Sequence, residues 1–277
     1  MGLQDVALPD PTPISAALVT GASAGIGTEI ARELAARGHG LVLVARRKDR
    51  LVALAQELEG QHGIRAQALA CDLANAASRS RLAGRIADRG IDVEILVNNA
   101  GFATGGSFHK SPPQRELQQV RVLVEAVVAL TSAFAPAMVD RGRGAILNVA
   151  STAAMQPMPY SAGYAAAKAY VLSFSEAIHQ ELSGRGVTVT ALCPGPVRTD
   201  FWDNAGWQVK GGQSLERALP RPALISPAQA ARAGVKGLAA GERVVVPGLP
   251  MRTAMLATRY LPNAVKLPVM EWVMRRD

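Results

Sequence analysis

The strongest constraint on the fold lies in residues 16–37. The apolar run 16–20 suits a short buried strand; it enters T-G-A-S-A-G-I-G, residues 20–27, and continues into a helical segment, 28–37. A strand that passes through a glycine-rich turn straight into a helix leaves the first backbone N–H groups of that helix beyond the strand end, where they hold a pyrophosphate. In that reading Gly21 makes the tight turn, Gly25 admits the phosphates closely and Gly27 lets helix and strand pack. The spacing is G-x-x-x-G-x-G, distinct from G-x-G-x-x-G. Such a turn also serves as an ordinary strand-to-helix connection, so the rest of the chain has to discriminate.

The alternation continues. Apolar runs at 41–45, 66–71, 94–97, 145–150, 187–193 and 243–246 read as buried strands, and 49–59, 114–141, 160–183 and 227–240 read as helices. Strands alternating with helices predict the α/β class, a doubly wound parallel sheet of about seven strands. Ligands of such sheets bind beyond the carboxyl ends of the strands. The second run ends in Arg46 and Arg47. An acid there would accept a hydrogen bond from a ribose hydroxyl, whereas arginine suits a 2′-phosphate; no acid precedes Asp49, so NADP(H) is expected over NAD(H). The competing reading is a pair of solvated arginines opening a helix capped by Asp49. Asp72, after the third run, either accepts from an adenine amine or caps the next helix. In N-N-A-G, residues 98–101, Asn98 braces the sheet while Ala100 and Gly101 leave room for a ribose.

Residues 1–15, with Pro9, Pro11 and Pro13, read as a loosely packed arm; 16–249 form the domain, with a lid at about 200–220; 250–277 form a C-terminal extension. Pro262 and Pro268 break that extension into short helices, which need a surface to cover, either the substrate cleft or a neighbouring subunit.

At 277 residues and 49% hydrophobic, the chain can bury a sizeable core. No run of about 18 apolar residues and no charged-then-apolar leader is evident, so a cytoplasmic protein without a spanning helix is expected. Cys71 and Cys193 each close a strand-like run, which fits buried thiols rather than a disulfide framework or a metal site. The formal charge is +8, but the basic residues are dispersed, with doublets only at Arg46–Arg47 and Arg275–Arg276 and no interleaved aromatics. That pattern argues against a nucleic-acid surface.

The chemistry concentrates in residues 151–168, S-T-A-A-M-Q-P-M-P-Y-S-A-G-Y-A-A-A-K. Tyr164 and Lys168 stand four apart in an alanine-rich segment of high helix propensity, so both project from one face. A nearby ammonium is expected to lower the phenol pKa and make Tyr164 a proton donor or acceptor for a carbonyl or alcohol oxygen. Ser151, at a strand end facing that helix, would donate a second hydrogen bond to the same oxygen. Taken alone, Y-x-x-x-K is also compatible with a core tyrosine and a snorkelling lysine.

With T-G-x-x-x-G-x-G at 20–27, N-N-A-G at 98–101, Ser151, Tyr164, Lys168 and P-G at 194–195 in one order and spacing, the chain resembles the single-domain, Rossmann-like branch of the short-chain dehydrogenase/reductase family over residues 16–246. The resemblance implies hydride transfer between a nicotinamide and a carbonyl or secondary alcohol. Tyr164 would be the general acid/base and Ser151 would orient the substrate oxygen. Lys168 would bind the nicotinamide ribose as well as acting on the tyrosine. Thr199 would bind the carboxamide, and Val197 would lie near the ring. It extends the cofactor contacts to Thr20, Ser23, Ile26, Leu73, Asn99, Pro194 and Gly195. It also suggests a homodimer or homotetramer built on the helices that contain Val124 and Phe174. Phe102, Met155, Met158, Tyr160, Phe201 and Trp202 are the pocket candidates, and their apolar character implies an apolar small-molecule substrate.

One departure stands out: the family asparagine that supports a water chain to the lysine is Leu123 here, in V-L-V-E-A, with Gln119 one turn earlier. Two other readings therefore accompany the oxidoreductase: a dinucleotide-binding sensor or scaffold with little turnover, and a membrane-peripheral reductase using the basic tail.

Overall fold

The computed structural model describes residues 8–199, 201, 224–249, 251–253, 255 and 261–274. Its seven strands are β1 (Ser15–Thr20), β2 (Gly40–Ala45), β3 (Ala66–Ala70), β4 (Asp92–Asn98), β5 (Gly144–Val149), β6 (Val187–Leu192) and β7 (Val244–Val245). They form one sheet in the order β3-β2-β1-β4-β5-β6-β7, with every pairing parallel. The order reverses between β1 and β4, so a crevice opens at their carboxyl ends, and that is where the site lies.

Alternate residues of each strand face opposite ways. Val19, Leu43, Ile95 and Leu147 meet the helices α1 (Gly25–Ala35), α2 (Lys48–His62) and α7 (Pro227–Ala239) in one core. Leu18, Val42, Leu96 and Ile146 meet α3 (Ala76–Ala87) and α5 (Ala126–Asp140) in the other. Because the strands are apolar on both faces, a helical layer on each side is required to keep them from water.

The helix expected over 114–141 is interrupted. It runs as α4 (Pro113–Val120), a π-helical turn over Arg121–Glu125, and α5. By length and composition the run is apolar enough to cross a membrane, where the sequence reading expected no such run. Here, however, Ala126, Leu130, Phe134 and Met138 bury that apolar face against the sheet.

Residues 8–14 are not a loose arm. Thr12 and Ser15 exchange backbone-to-hydroxyl bonds of 2.8 and 3.0 Å, and Leu8 packs on the core. Of the lid expected over 201–219, all but Phe201 lies outside the described residues. The catalytic-helix candidate is α6 (Ala162–Leu182), and the tail ends in α8 (Asn263–Met274).

A buried polar ladder fixes α6 against the sheet. Asn98 Nδ2 donates to Asn148 Oδ1 (2.8 Å), Asn148 Nδ2 to Ser175 Oγ (2.9 Å), and Ser175 Oγ to the Val171 carbonyl (2.6 Å). A hydrogen-bonded chain in an apolar interior tolerates no slippage, because a shifted partner leaves buried groups unsatisfied. It sets the height of α6, and with it Tyr164 and Lys168.

Candidate active site

Ser151 lies two residues past β5 in extended backbone (φ −172°), and its Oγ accepts from the Ala153 N–H at 3.1 Å, closing the short turn Thr152–Met155. The alanines of α6 let the helix approach, so Tyr164 and Lys168 are both buried beside Ser151. Lys168 Nζ donates to the Val149 carbonyl at 2.6 Å and sits 5.8 Å from the Tyr164 ring centroid.

The electrostatics correct the sequence expectation. Burial pushes the Tyr164 hydroxyl up to about 12, and a hydrogen bond with the Ser151 side chain only partly opposes this. Burial also brings the Lys168 amine down to about 8, with the nearby Cys193 thiol acting weakly the other way. Removing both groups from water disfavours both charged forms, the phenolate and the ammonium alike. Tyr164 in this arrangement is a phenol that holds its proton. The Cys193 thiol is itself pushed up to about 12 by burial, so it is an inert neighbour.

The glycine turn is built to be closed on its inner side and open on its outer side. Thr20 Oγ1 donates to the Val97 carbonyl (3.0 Å) and accepts from the N–H groups of Asn99 (2.9 Å) and Ala100 (3.1 Å). Asn99 Nδ2 donates to the Thr20 carbonyl at 2.9 Å. Thr20 and Asn99 therefore brace β1 to β4. Gly21 and Gly25 adopt φ of +67° and +60°, a region that side-chain-bearing residues avoid. A Cβ at Gly21 would sit 2.8 Å from the Ala100 Cα, and one at Gly27 would overlap the Gly21 carbonyl and the Asn99 amide. Ala24 precedes α1 without a side-chain cap, which leaves the first N–H groups of the helix to a ligand. These features fit a dinucleotide pyrophosphate.

One cleft of about 910 Å³ runs from Arg46 and Arg47 past Gly21, Ser23, Gly25 and Ile26 to Asn99, Ala100 and Gly101, then to Ser151, Tyr164 and Lys168, and along Pro194, Gly195, Val197 and Thr199. Leu73 and Asp72 also line it, whereas Thr20 and Gly27 lie behind its wall. Arg47 reaches back to Ser23, with Nη2 3.1 Å from Oγ. Asp49 falls in the first turn of α2 rather than at its cap, which is Arg47. Asp72 does not cap α3 either: Asn75 does, while Asp72 Oδ1 accepts from the Ala74 N–H. Thr199 packs against Gly25, its Cγ2 3.2 Å from where a Cβ would stand, and its hydroxyl accepts from the Phe201 N–H.

At the far end the cleft is lined by Phe102, Met158 and Phe201. Met155 is turned away, against Ala150, Val171 and Cys193. Tyr160 does not line the cleft; it supports it from behind at φ +62°, its carbonyl accepting from the Gly106 N–H at 2.9 Å. Ser161 Oγ donates to the Thr104 carbonyl at 3.1 Å, so the two loops that flank the site are tied together. Trp202 lies outside the described residues. Missing from the sequence reading are Arg115, Gln118 and Val122 from α4 and its π turn, and Met270, Val273 and Met274 from α8. The apolar tail needed a surface; that it roofs this cleft is visible only in three dimensions.

Leu123 is fully buried in the π turn, beside Tyr164 and Ala167. Its Cδ2 is 2.8 Å from the position of a Cβ on Gly101, and that position is 3.9 Å from Lys168 Nζ. Gln119 does not substitute for an amide there: its Nε2 bonds Thr104 Oγ1 (3.1 Å) and the Phe102 carbonyl (3.4 Å), on the side of Gly163.

A seven-stranded doubly wound sheet whose dinucleotide-shaped turn, half-buried Ser151 and buried Tyr164 and Lys168 share one cleft defines an oxidoreductase that transfers hydride between a nicotinamide dinucleotide and a carbonyl or alcohol. The comparisons agree with this class. The short chain dehydrogenase family profile matches residues 15–209. The NADP-dependent 3-hydroxy acid dehydrogenase YdfG of Salmonella typhi is 37% identical over 181 residues, covering 65% of this chain and 71% of that protein. A short-chain dehydrogenase from Sphingobium yanoikuyae in complex with NADPH superposes with a TM-score of 0.78 at 33% identity, over 93% of this chain and 95% of the other. The bulky-bulky ketone specific alcohol dehydrogenase from Comamonas testosteroni superposes with a TM-score of 0.73 at 28% identity, over 91% and 100%. The chain belongs to the short-chain dehydrogenase/reductase family.

Proposed function

We propose that this chain is an NADP(H)-dependent reductase of a bulky apolar ketone or its secondary alcohol, with Ser151, Tyr164 and Lys168 as its reacting groups. The observation that carries the reading is the cleft that joins two arginines, the glycine-rich turn and Ser151, Tyr164 and Lys168 to an end lined by Phe102, Met158, Phe201, Met270 and Met274. NADP(H) is favoured because Arg46 and Arg47 line the cleft after β2, where arginine suits a 2′-phosphate, and relatives named as NADP-dependent or bound to NADPH support the reading. The apolar end agrees with the bulky-ketone relative.

Bound NADPH supplies the hydride. The Ser151 hydroxyl, held by the Ala153 N–H, donates to the substrate carbonyl oxygen and fixes its position. As negative charge develops on that oxygen, Tyr164 gives up its proton; an alkoxide is a far stronger base than a phenolate, so even a phenol at about 12 transfers downhill. The Lys168 ammonium, held at the Val149 carbonyl, then stabilises the phenolate until the proton is replaced. Leu117 and Val120 on α4 and Tyr170 on α6 are exposed apolar side chains, which supports a homodimer built on those helices.

The test is NADPH oxidation followed at fixed enzyme over a panel of bulky and small ketones, with NADH in parallel. Tyr164→Phe is expected to abolish turnover and leave NADPH affinity nearly unchanged. Turnover retained by that variant, or no oxidation with any ketone, would refute the assignment.

A further inference from the structure

Helix α8 has two apolar faces with different fates. The inner one roofs the cleft: Met274 is buried with Tyr164 and Leu123, and Met270 Sδ accepts from Gln156 Nε2 at 3.4 Å. The outer one is uncovered. On α8, Val265, Val269 and Trp272 are spaced four and three residues apart, which places them on one stripe, and their exposures are 50, 55 and 81%; Leu261, 46% exposed, lies just before the helix. An exposed tryptophan on an unbroken aliphatic stripe is not the ordinary scatter of apolar atoms on a protein surface.

The net charge of the segment in sequence indicates what covers it. In the sequence, residues 250–277 contain Arg252, Arg259, Lys266, Arg275 and Arg276 against only Glu271 and Asp277. A second copy of the chain would bring two such basic segments face to face across a two-fold axis, where like charges repel. An anionic lipid surface offers the reverse: negative headgroups for the basic residues, and an acyl boundary for Leu261, Val265 and Val269 with Trp272 at the interface level where its ring partitions. We propose that α8 docks by this stripe onto an anionic bilayer surface, setting the roof of the cleft against the membrane. The proposal does not depend on the substrate or cofactor assigned above.

Co-sedimentation of the full chain tests it, using vesicles of equal parts phosphatidylglycerol and phosphatidylcholine beside vesicles of phosphatidylcholine alone. Binding is expected to the anionic vesicles, to weaken as salt is raised, and to fall about fivefold or more with Lys266→Glu. The double variant Trp272→Ser, Val269→Ser should lose about tenfold or more in partitioning. Because neither residue lines the cleft or packs in the core, its urea midpoint should stay at the wild-type value, which separates lost docking from lost folding. Failure to sediment with anionic vesicles overturns the proposal, as does sedimentation that the double variant leaves unchanged. Concentration-dependent association by light scattering, abolished by the double variant in a chain that ignores vesicles, would overturn it in favour of a second copy.

Discussion

Lys168→Met probes the buried pair directly, through stability as well as activity. In the nucleotide-free protein the Lys168 amine titrates at about 8 against 10.5 ordinarily. That difference corresponds to roughly 3 kcal/mol, the cost of keeping the ammonium buried at neutral pH. Methionine fills similar volume without charge, so the variant recovers this term while losing the bond to the Val149 carbonyl, a charge-assisted contact of about 1.5–3 kcal/mol. At pH 7 the two effects nearly cancel, and the variant should lie within about 2 kcal/mol of wild type. The pH dependence separates them. Between pH 8 and 10 the unfolded wild type still holds the lysine proton and the folded one has released it, so the lysine's contribution to wild-type stability rises with pH, while Cys193, raised to about 12, affects both chains alike. The variant lacks this rise, and the wild type should gain about 2–3 kcal/mol on it by pH 10. Tyr164 enters only above pH 10, where its raised value makes stability fall towards pH 12. Urea unfolding of both chains at pH 7, 8, 9 and 10, without nucleotide, measures the difference. A gap constant over that range would refute the depressed lysine, and turnover retained by the variant would remove Lys168 from the chemistry.

Two further perturbations address the cofactor and the proton supply. Replacing Arg46 and Arg47 together by alanine should erase a preference for NADPH over NADH of about tenfold or more, since charge-assisted bonds to a phosphate contribute about 1.5–3 kcal/mol each; equal affinities in the wild type, by fluorescence titration, would sink the idea. Leu123→Asn should lower the unfolding free energy measured in urea, by about 1.5–3 kcal/mol for the lost apolar burial and about 1–3 kcal/mol for an incompletely paired amide. The same variant should raise turnover and shrink the solvent isotope effect if proton return to Lys168 limits the reaction; no change in either would leave Leu123 a packing residue only.

What the sequence determines by itself is local. Seven apolar runs separated by helical segments specify the parallel sheet, since each run reads the same whatever lies beside it. The T-G-A-S-A-G-I-G turn is legible because its glycines are demanded by backbone geometry, and Tyr164 and Lys168 because four residues along a helix always share a face. Tertiary structure decides what depends on residues far apart in the chain. The Asn98–Asn148–Ser175 ladder sets the height of α6 through partners 50 and 27 residues apart. Desolvation by the whole surrounding core reverses the tyrosine shift that a pairwise view of Tyr164 and Lys168 gives. Gln119 is turned to Thr104 and Phe102, contacts set by a distant loop, and the π turn at Arg121–Glu125 has no periodic signature because one residue is inserted into an otherwise regular helix. The roof of the cleft comes from Met270 and Met274, more than a hundred residues after Tyr164. An apolar tail announces that it needs a surface, and only packing decides which one.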